Sequence, residues 1–382
     1  MLPRLALGFA GVLTAAIGIA ACSSSDATSS ISVGPSFAPQ SLYASNVTQN
    51  AISIYQANPK STSGPLYQIG GGNTTLGGPQ YLAFDSASNL WVTNYLASTT
   101  TGSLLEFKAQ ATGNVLPYQG LSLGNVRPRG LADYQNTISG VATAYDVLVV
   151  AEVNPSYSAG FTSGLYFYTP ALLSGAFQVL AGPATGLNVP SGVAVDSSHK
   201  IYVSNLQGAS VEVFALPSPT ATPSPTATPS PTPSPTATPT GATATPSPTA
   251  SPTATPLNIA PVQTIAGAGS GIGQPTGIAL DAAGNIYVSD QASTVCTPAC
   301  PAILKFLPGA NGAVAPTYIA GSKTLLVAPT DVKVDANGNI YVADEVGGAG
   351  VVYVFAKGSS GNVAPAGTLN SPGAVIGLGL TP

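Results

Sequence analysis

The sequence predicts an all-β fold, and two observations carry that prediction. A unit of two short β-rich runs, joined by a turn of Asp, Ser, Ala, Gly and Asn, recurs along the chain. The 382 residues also include 43 glycines and 35 prolines, and these cost a helix interior about 1 and about 3 kcal/mol each. The charge inventory narrows function. Charged residues are 6% of the total, where a soluble domain carries about 25%, so Ser, Thr, Asn, Gln and backbone must build the surface. Ten basic against fourteen acidic side chains give a net charge of -4, with no basic block. Nucleic acid is not an expected partner, because phosphate binding runs on clustered Lys and Arg.

The first segment is an address rather than a domain. Met1-Leu-Pro-Arg4 carries one positive charge, Leu5 to Ala21 is an unbroken run of apolar and small residues, and Ser23-Ser-Ser-Asp26 is polar. That run, at about 1.5 Å per residue, reaches about 25 Å, marginal for a membrane span. Residues 1–21 therefore read as a secretory signal. Ile19-Ala20-Ala21-Cys22 resembles the bacterial lipobox. The resemblance implies a lipidated Cys22 and an exported protein anchored by lipid to the cell envelope, at the outer membrane or cell surface. Residues 22–40, rich in Ser with Pro35 and Pro39, read as a flexible tether.

From residue 41 the repeat takes over. Gln274-Pro-Thr-Gly-Ile-Ala-Leu-Asp281 leads into Gly284-Asn-Ile-Tyr-Val-Ser-Asp290. The unit returns from Val189 to Asp196 with Lys200 to Asn205, from Ala328 to Asp335 with Gly338 to Asp344, and from Gly78 to Asp85 with Asn89 to Asn94. Each is a hairpin by its turn chemistry. A third run ends in an aromatic, as in Leu104–Phe107, Val211–Phe214, Ile303–Phe306 and Val352–Phe355. A fourth ends in Ala-Gly, as in Gln178–Gly182, Gln263–Gly267 and Tyr318–Gly321. Four antiparallel strands repeated around an axis describe a β-propeller.

The blade count is six. Arg129–Ala132, Asp146–Glu152 and Leu165–Tyr168 form a degenerate fifth copy with a lengthened first hairpin. Ser41–Asn46 is a second strand with no first strand before it, and Gly377–Leu380 is a first strand with no second after it. Joined, the N- and C-terminal strands share one blade, close the ring and remove two exposed edges. The wording of the units resembles NHL-repeat propellers, over residues 41–382 apart from one insertion. That resemblance implies the propeller fold and specifies little about function.

The insertion is residues 217–256, a run of Pro-Ser-Pro-Thr-Ala-Thr without aromatic or charge. It cannot bury a core and is expected to be disordered and polyproline-like. Val211–Phe214 is a third strand and Val262–Gly267 a fourth, so the tract lengthens a loop within one blade rather than linking two domains.

Candidate chemistry sits where second strands end. Asn46, Asn94, Glu152, Asn205, Asp290 and Asp344 occupy that position in the six blades. They form a candidate pocket ring, able to take Ca²⁺ or Mg²⁺ through oxygen ligands; no other cofactor is indicated. In the other reading each caps its own turn by accepting backbone N–H groups, and repetition in every blade favours capping. Glu152 is the least turn-like. Asp85, Asp196, Asp281 and Asp335 belong to first-hairpin turns on the opposite face and read as structural, with His199 among them as a surface residue. Tyr43, Trp91, Tyr202, Tyr287 and Tyr341 are inter-blade packing groups. Cys296 and Cys300 read as a disulfide staple.

Some propellers of this kind resemble lactonases or antibiotic lyases. A lyase needs a base, and a lactonase-like metal site needs acids at the start of first strands. Those positions read Gln80, Arg129, Ser191, Thr276, Thr330 and Asp331, with one carboxylate among them. No catalytic residue is assigned. The expectation is a monomeric, non-catalytic binding or scaffold module with a protein, small-molecule or glycan ligand and a lipid-held membrane contact. Two alternatives stay open: a metal-dependent lactonase-like or lyase-like enzyme, and a structural surface protein with a glycosylated Pro/Thr spacer.

Overall fold

The computed structural model describes residues 40–57, 64–136, 145–153, 163–170, 175–216 and 256–382. Cys22 with the leader, the tether to residue 39, and the Pro/Thr tract from 217 to 255 lie outside the described residues. The first blade contributes β1 (Ser41–Asn46), β2 (Ala51–Gln56) and β3 (Tyr67–Gly70). The second holds β4 (Pro79–Phe84), β5 (Leu90–Leu96), β6 (Thr101–Phe107) and β7 (Gln119–Gly124). The third holds β8 (Arg127–Asn136), β9 (Tyr145–Val153), β10 (Gly164–Tyr168) and β11 (Gln178–Leu180). The fourth holds β12 (Pro190–Val195), β13 (Lys200–Asn205), β14 (Ser210–Ala215) and β15 (Gln263–Ala266). The fifth holds β16 (Pro275–Leu280), β17 (Ile286–Ser293), β18 (Cys300–Phe306) and β19 (Thr317–Ala320). The sixth holds β20 (Pro329–Val334), β21 (Ile340–Val346), β22 (Ala349–Phe355) and β23 (Gly367–Asn370), before β24 (Val375–Leu380).

Six four-stranded antiparallel sheets result, and β24 is the inner strand of the first. The fold is a six-bladed propeller. Six buried clusters, one between each neighbouring pair of sheets, form its core. Tyr43, Trp91, Tyr202, Tyr287 and Tyr341 each belong to one. In Trp91, Tyr202, Tyr287 and Tyr341 the polar tip bonds the Asp of the blade's own first hairpin. Trp91 Nε1 donates to Asp85 at 3.0 Å, and the hydroxyls of Tyr202, Tyr287 and Tyr341 donate to Asp196, Asp281 and Asp335 at 3.1–3.3 Å. The hairpin Asp therefore ties its turn to the aromatic six residues on.

Ring closure copies that hairpin without a covalent turn. In the fourth blade Asp196 N donates to Lys200 O at 3.0 Å, and Lys200 N donates to Asp196 Oδ1 at 2.9 Å. In the first blade Thr381 N donates to Ser41 O at 3.1 Å, and Ser41 N donates to Thr381 Oγ1 at 2.9 Å. Leu42, Tyr43 and Ala44 then pair with Leu380, Gly379 and Leu378.

Every inner strand carries one extra residue near its start. Pro79 faces Asn94 while Leu82 faces Val92, and the same slip occurs in the five other blades. This bulge releases a backbone N–H from the ladder, and a buried hydroxyl on the second strand recovers it in four blades. Tyr81, Gly192, Gly277 and Gly377 donate to Thr93, Ser204, Ser289 and Ser45 at 2.7–2.9 Å. The hydroxyl's own hydrogen goes to the next blade: Ser45 to Gln80 O, Thr93 to Arg129 O and Ser204 to Thr276 O. Thr276 reaches Pro329 O, Thr330 reaches Val375 O, and Arg129 Nη1 reaches Ser191 Oγ. All six inter-blade joints are thus bridged at the inner ring.

A second set of bridges runs along the rim. The outer-strand residues Ile69, Leu180, Ile265 and Ile319 pair with Gly113, Leu257, Gly312 and Gly361 of the following blade. At three of these sites the next side chain, Asn114, Asn258 or Asn362, accepts a backbone N–H from the preceding blade at 2.7–2.8 Å. β14 and β15 pair directly, so the residues flanking the Pro/Thr tract belong to one sheet, and the repeat resumes at Leu257.

Three measurements follow. Thermal melts should show that removing Gly377–Pro382 costs several kcal/mol or causes aggregation, because it strips the ring of its closing strand. Replacing residues 215–256 by the five residues Leu307–Asn311, which span the same loop between Phe306 and Gly312, should leave the melt within about 1–2 kcal/mol of the parent. By urea titration, Ser204→Ala should lose about 1–3 kcal/mol by orphaning a buried N–H. Ser204→Thr should lose less, because Thr93 already fills the equivalent place.

Candidate functional site

The six candidate ring residues, at or within three residues of the ends of second strands, are all buried, at 4% exposure or less. Four of them clasp the loop that enters their own blade. Asn94 accepts from Gly77 N at 2.8 Å, and Asn205 accepts from Asn188 N at 2.6 Å. Asp290 accepts from Gly273 N and Gln274 N at 2.7 and 2.9 Å, and Asp344 accepts from Val327 N and Ala328 N at 2.8 and 2.6 Å. Asn46 accepts from Gln49 N at 3.1 Å in its own turn. Burial raises the pKa of Asp290 and Asp344, and the backbone N–H groups oppose the shift. These oxygens serve the backbone.

Glu152 is the exception. Among the described residues it accepts from Tyr168 Oη at 2.5 Å and from no backbone group. Burial pushes its carboxyl up to about 8, against the pull of the Tyr168 hydrogen bond. Burial and the Glu152 charge raise the Tyr168 phenol in turn. At neutral pH the Glu152 carboxyl therefore keeps its proton. Asp133, lower in the same blade, is pushed to about 8 by burial and by Asp146 and Asp85, and its Oδ1 is buried with no hydrogen-bond partner.

None of the six lines the axial mouth. That cavity, about 170 Å³, is bounded by Gln80, Arg127, Arg129, Gln291, Thr330 and Glu345 among others. Tyr81 forms its floor. Its hydroxyl crosses from the second blade to Ser191 Oγ and Thr330 O, both at 3.3 Å, which places the ring on the axis. Burial lifts the Tyr81 phenol to about 12. Glycine occupies the equivalent inner-strand position in four blades, because Gly130, Gly192, Gly277 and Gly377 lie against a neighbouring inner strand with no room for a Cβ. Tyr81 and Asp331 are the two side chains at that level. Asp331 Oδ2 accepts from Lys333 Nζ at 3.1 Å and Leu378 N at 2.9 Å. Below them lies a second cavity of about 240 Å³, lined by Leu82, Leu131, Val193, Ile278 and Val334 together with Asp133 and Lys333.

The remaining candidates fall elsewhere. His199 is exposed in its turn beside Tyr134. A disulfide joins Cys296, in the loop after β17, to Cys300, the first residue of β18. Among the described residues, no three His, Cys, Asp or Glu side chains group closely enough to hold a metal ion. Arg127 has no counterpart in the other blades, so the repeat gave no signal for it.

No protein-family model matches this chain, and no curated protein matches it by sequence. Solved structures do. A protein of unknown function from Bacteroides caccae aligns with a TM-score of 0.53 at 9% identity, over 90% of this chain and 99% of its own. A luciferin-regenerating enzyme aligns at 0.47 and 12% identity, over 87% and 93%. A gluconolactonase from Xanthomonas campestris aligns at 0.42 and 13% identity, over 90% of each chain. The first of these shares the fold, and at this identity the likeness shows the fold alone.

The raised carboxyls set a pH dependence. An acid whose folded pKa exceeds its unfolded value stabilises the fold below the unfolded pKa and loses that contribution as pH rises through the folded one. Stability should therefore fall between about pH 4.5 and pH 8 on account of Glu152 and Asp133. Urea titrations across that window should show a shallower fall in Glu152→Gln than in the parent.

Proposed function

We propose that this chain is an exported, lipid-anchored propeller of the NHL-repeat kind that binds a ligand at its axial mouth without turning it over. One observation carries the reading. Five of the six side chains from which an active site at this face would be drawn have their oxygens bound to backbone N–H groups. The groups left facing the mouth, Gln80, Gln291, Arg127, Arg129 and Glu345, are recognition groups rather than a base and nucleophile held in contact. The lipobox-like Ile19–Cys22 and the run before it support the anchor. Several acyl chains on one cysteine would hold the protein firmly at the envelope, where one chain holds weakly.

A catalytic reading is favoured by one group, Glu152, whose proton is held near neutral pH as a general acid requires. Labelled palmitate, followed by cell fractionation, tests the anchor. The parent should label and sediment with membranes, and Cys22→Ala should do neither; equal labelling of the two sinks the anchor. Lactone turnover by the parent that is lost in Glu152→Gln would overturn the non-catalytic half.

A further inference from the structure

We propose that the axial mouth holds a small oxyanion, a carboxylate or phosphate group on a compact molecule, between Arg127 and Arg129. This rests on the mouth being the ligand site and adds the chemistry of what enters it. The sequence contains three arginines, Arg4, Arg127 and Arg129, and two of them line one cavity of about 170 Å³. They lie two residues apart at the start of β8, where the chain turns from the second blade onto the axis.

Among the described residues neither arginine has a countercharge. Of the fourteen acidic residues, Asp26 alone lies outside the described residues. The ion pairs among the described residues are Lys108–Glu106 and Lys333–Asp331, so no carboxylate there comes within 4.0 Å of either guanidinium. Both Nε atoms are buried with no hydrogen-bond partner. Arg129 uses Nη1 to reach Ser191 at 3.3 Å, and Arg127 lies 5.5 Å from the centre of the Tyr95 ring. Most of the ten guanidinium N–H donors therefore point to no protein acceptor.

Two unpaired cations side by side, partly withdrawn from water, are an arrangement a fold does not keep for stability. Burial lowers the Arg129 pKa from its ordinary value; Tyr81 opposes that shift and Arg127 adds to it. An oxyanion between the two forks removes the mutual repulsion and takes up the free donors at once, with the geometry that guanidinium offers to carboxylate and phosphate. Glu345 borders the same cavity from β21. Its charge holds an anion to the arginine side, and Gln80 and Gln291 are neutral neighbours for the rest of the molecule.

The test is calorimetry on the full chain at low salt with four probes: inorganic phosphate, acetate, glucose and Ca²⁺. Saturable heat is expected from phosphate or acetate, weakening as NaCl is added. Arg127→Gln should weaken it about tenfold, the loss of one charge-assisted contact. Arg129→Gln should do the same once its melt is matched to the parent. Glu345→Gln should tighten binding severalfold, a gain that misfolding cannot produce. Anion binding unchanged in both arginine variants overturns the proposal. Heat from glucose or Ca²⁺ alone also overturns it while leaving the mouth as a ligand site; heat from none of the four overturns both.

Discussion

The extra residue near the start of each inner strand is the constraint from which the rest of this ring follows. A bulge bends its strand and breaks its ladder, which lets six inner strands crowd around one axis. It also leaves a backbone N–H without a partner, deep in the molecule, where an unmet donor costs on the order of 1–3 kcal/mol. The buried hydroxyls of Ser45, Thr93, Ser204 and Ser289 meet that need. Three of them pass their own hydrogen to the carbonyl of the next blade. Local repair and global closure are therefore one set of bonds. The closing strand joins it through Ser45, which touches Gly377 of the C-terminal strand and Gln80 of the next blade.

The same crowding decides what the axis can hold. Glycine stands where inner strands meet backbone to backbone, and a Cβ at Gly130 or Gly377 would meet a neighbouring carbonyl oxygen. Two blades break the pattern. Tyr81 and Asp331 place side chains where the others leave none, and together they divide the mouth from the cavity below. The mouth is lined by residues that vary between blades. Arg127, Arg129 and Glu345 stand on the third and sixth blades with no symmetry mates. A ligand proposed for the mouth would meet an asymmetric site on a nearly symmetric ring.

This division also explains how much was legible in the sequence. The fold was, because Pro-x-Gly, Gly-Asn-Ile-Tyr-Val and the hairpin Asp recur at fixed phase, and each recurrence reports one strand. The split blade was legible for the same reason, since Ser41–Asn46 and Gly377–Leu380 are complementary halves of one unit. Repetition pointed Asn94, Asn205, Asp290 and Asp344 to backbone N–H groups, but each was expected to cap its own turn. The main partners lie instead in the loop that enters the blade, 16 or 17 residues earlier in the chain. The hydroxyl relay was missed because a serine in Tyr-Val-Ser-Asn looks like the polar half of an alternating strand, and only the register shows which N–H it faces. Asn114, Asn258 and Asn362 were missed because their partners lie in the preceding blade. Arg127 was invisible for a different reason. It has no repeat-mate, and its isolation from acids is a property of three-dimensional neighbours rather than of spacing.

Native-state hydrogen exchange at single-residue resolution addresses the inner ring most directly. The amides of Tyr81, Gly192, Gly277 and Gly377 sit at bulges, where a strand ladder alone would leave them open. If hydroxyl bonds hold them, they should exchange only through global unfolding, with the protection of ladder amides such as Val203 and Val342. Exchange at those four amides by local opening, as fast as in the surface turns, would contradict the claim that these hydroxyls hold the ring together.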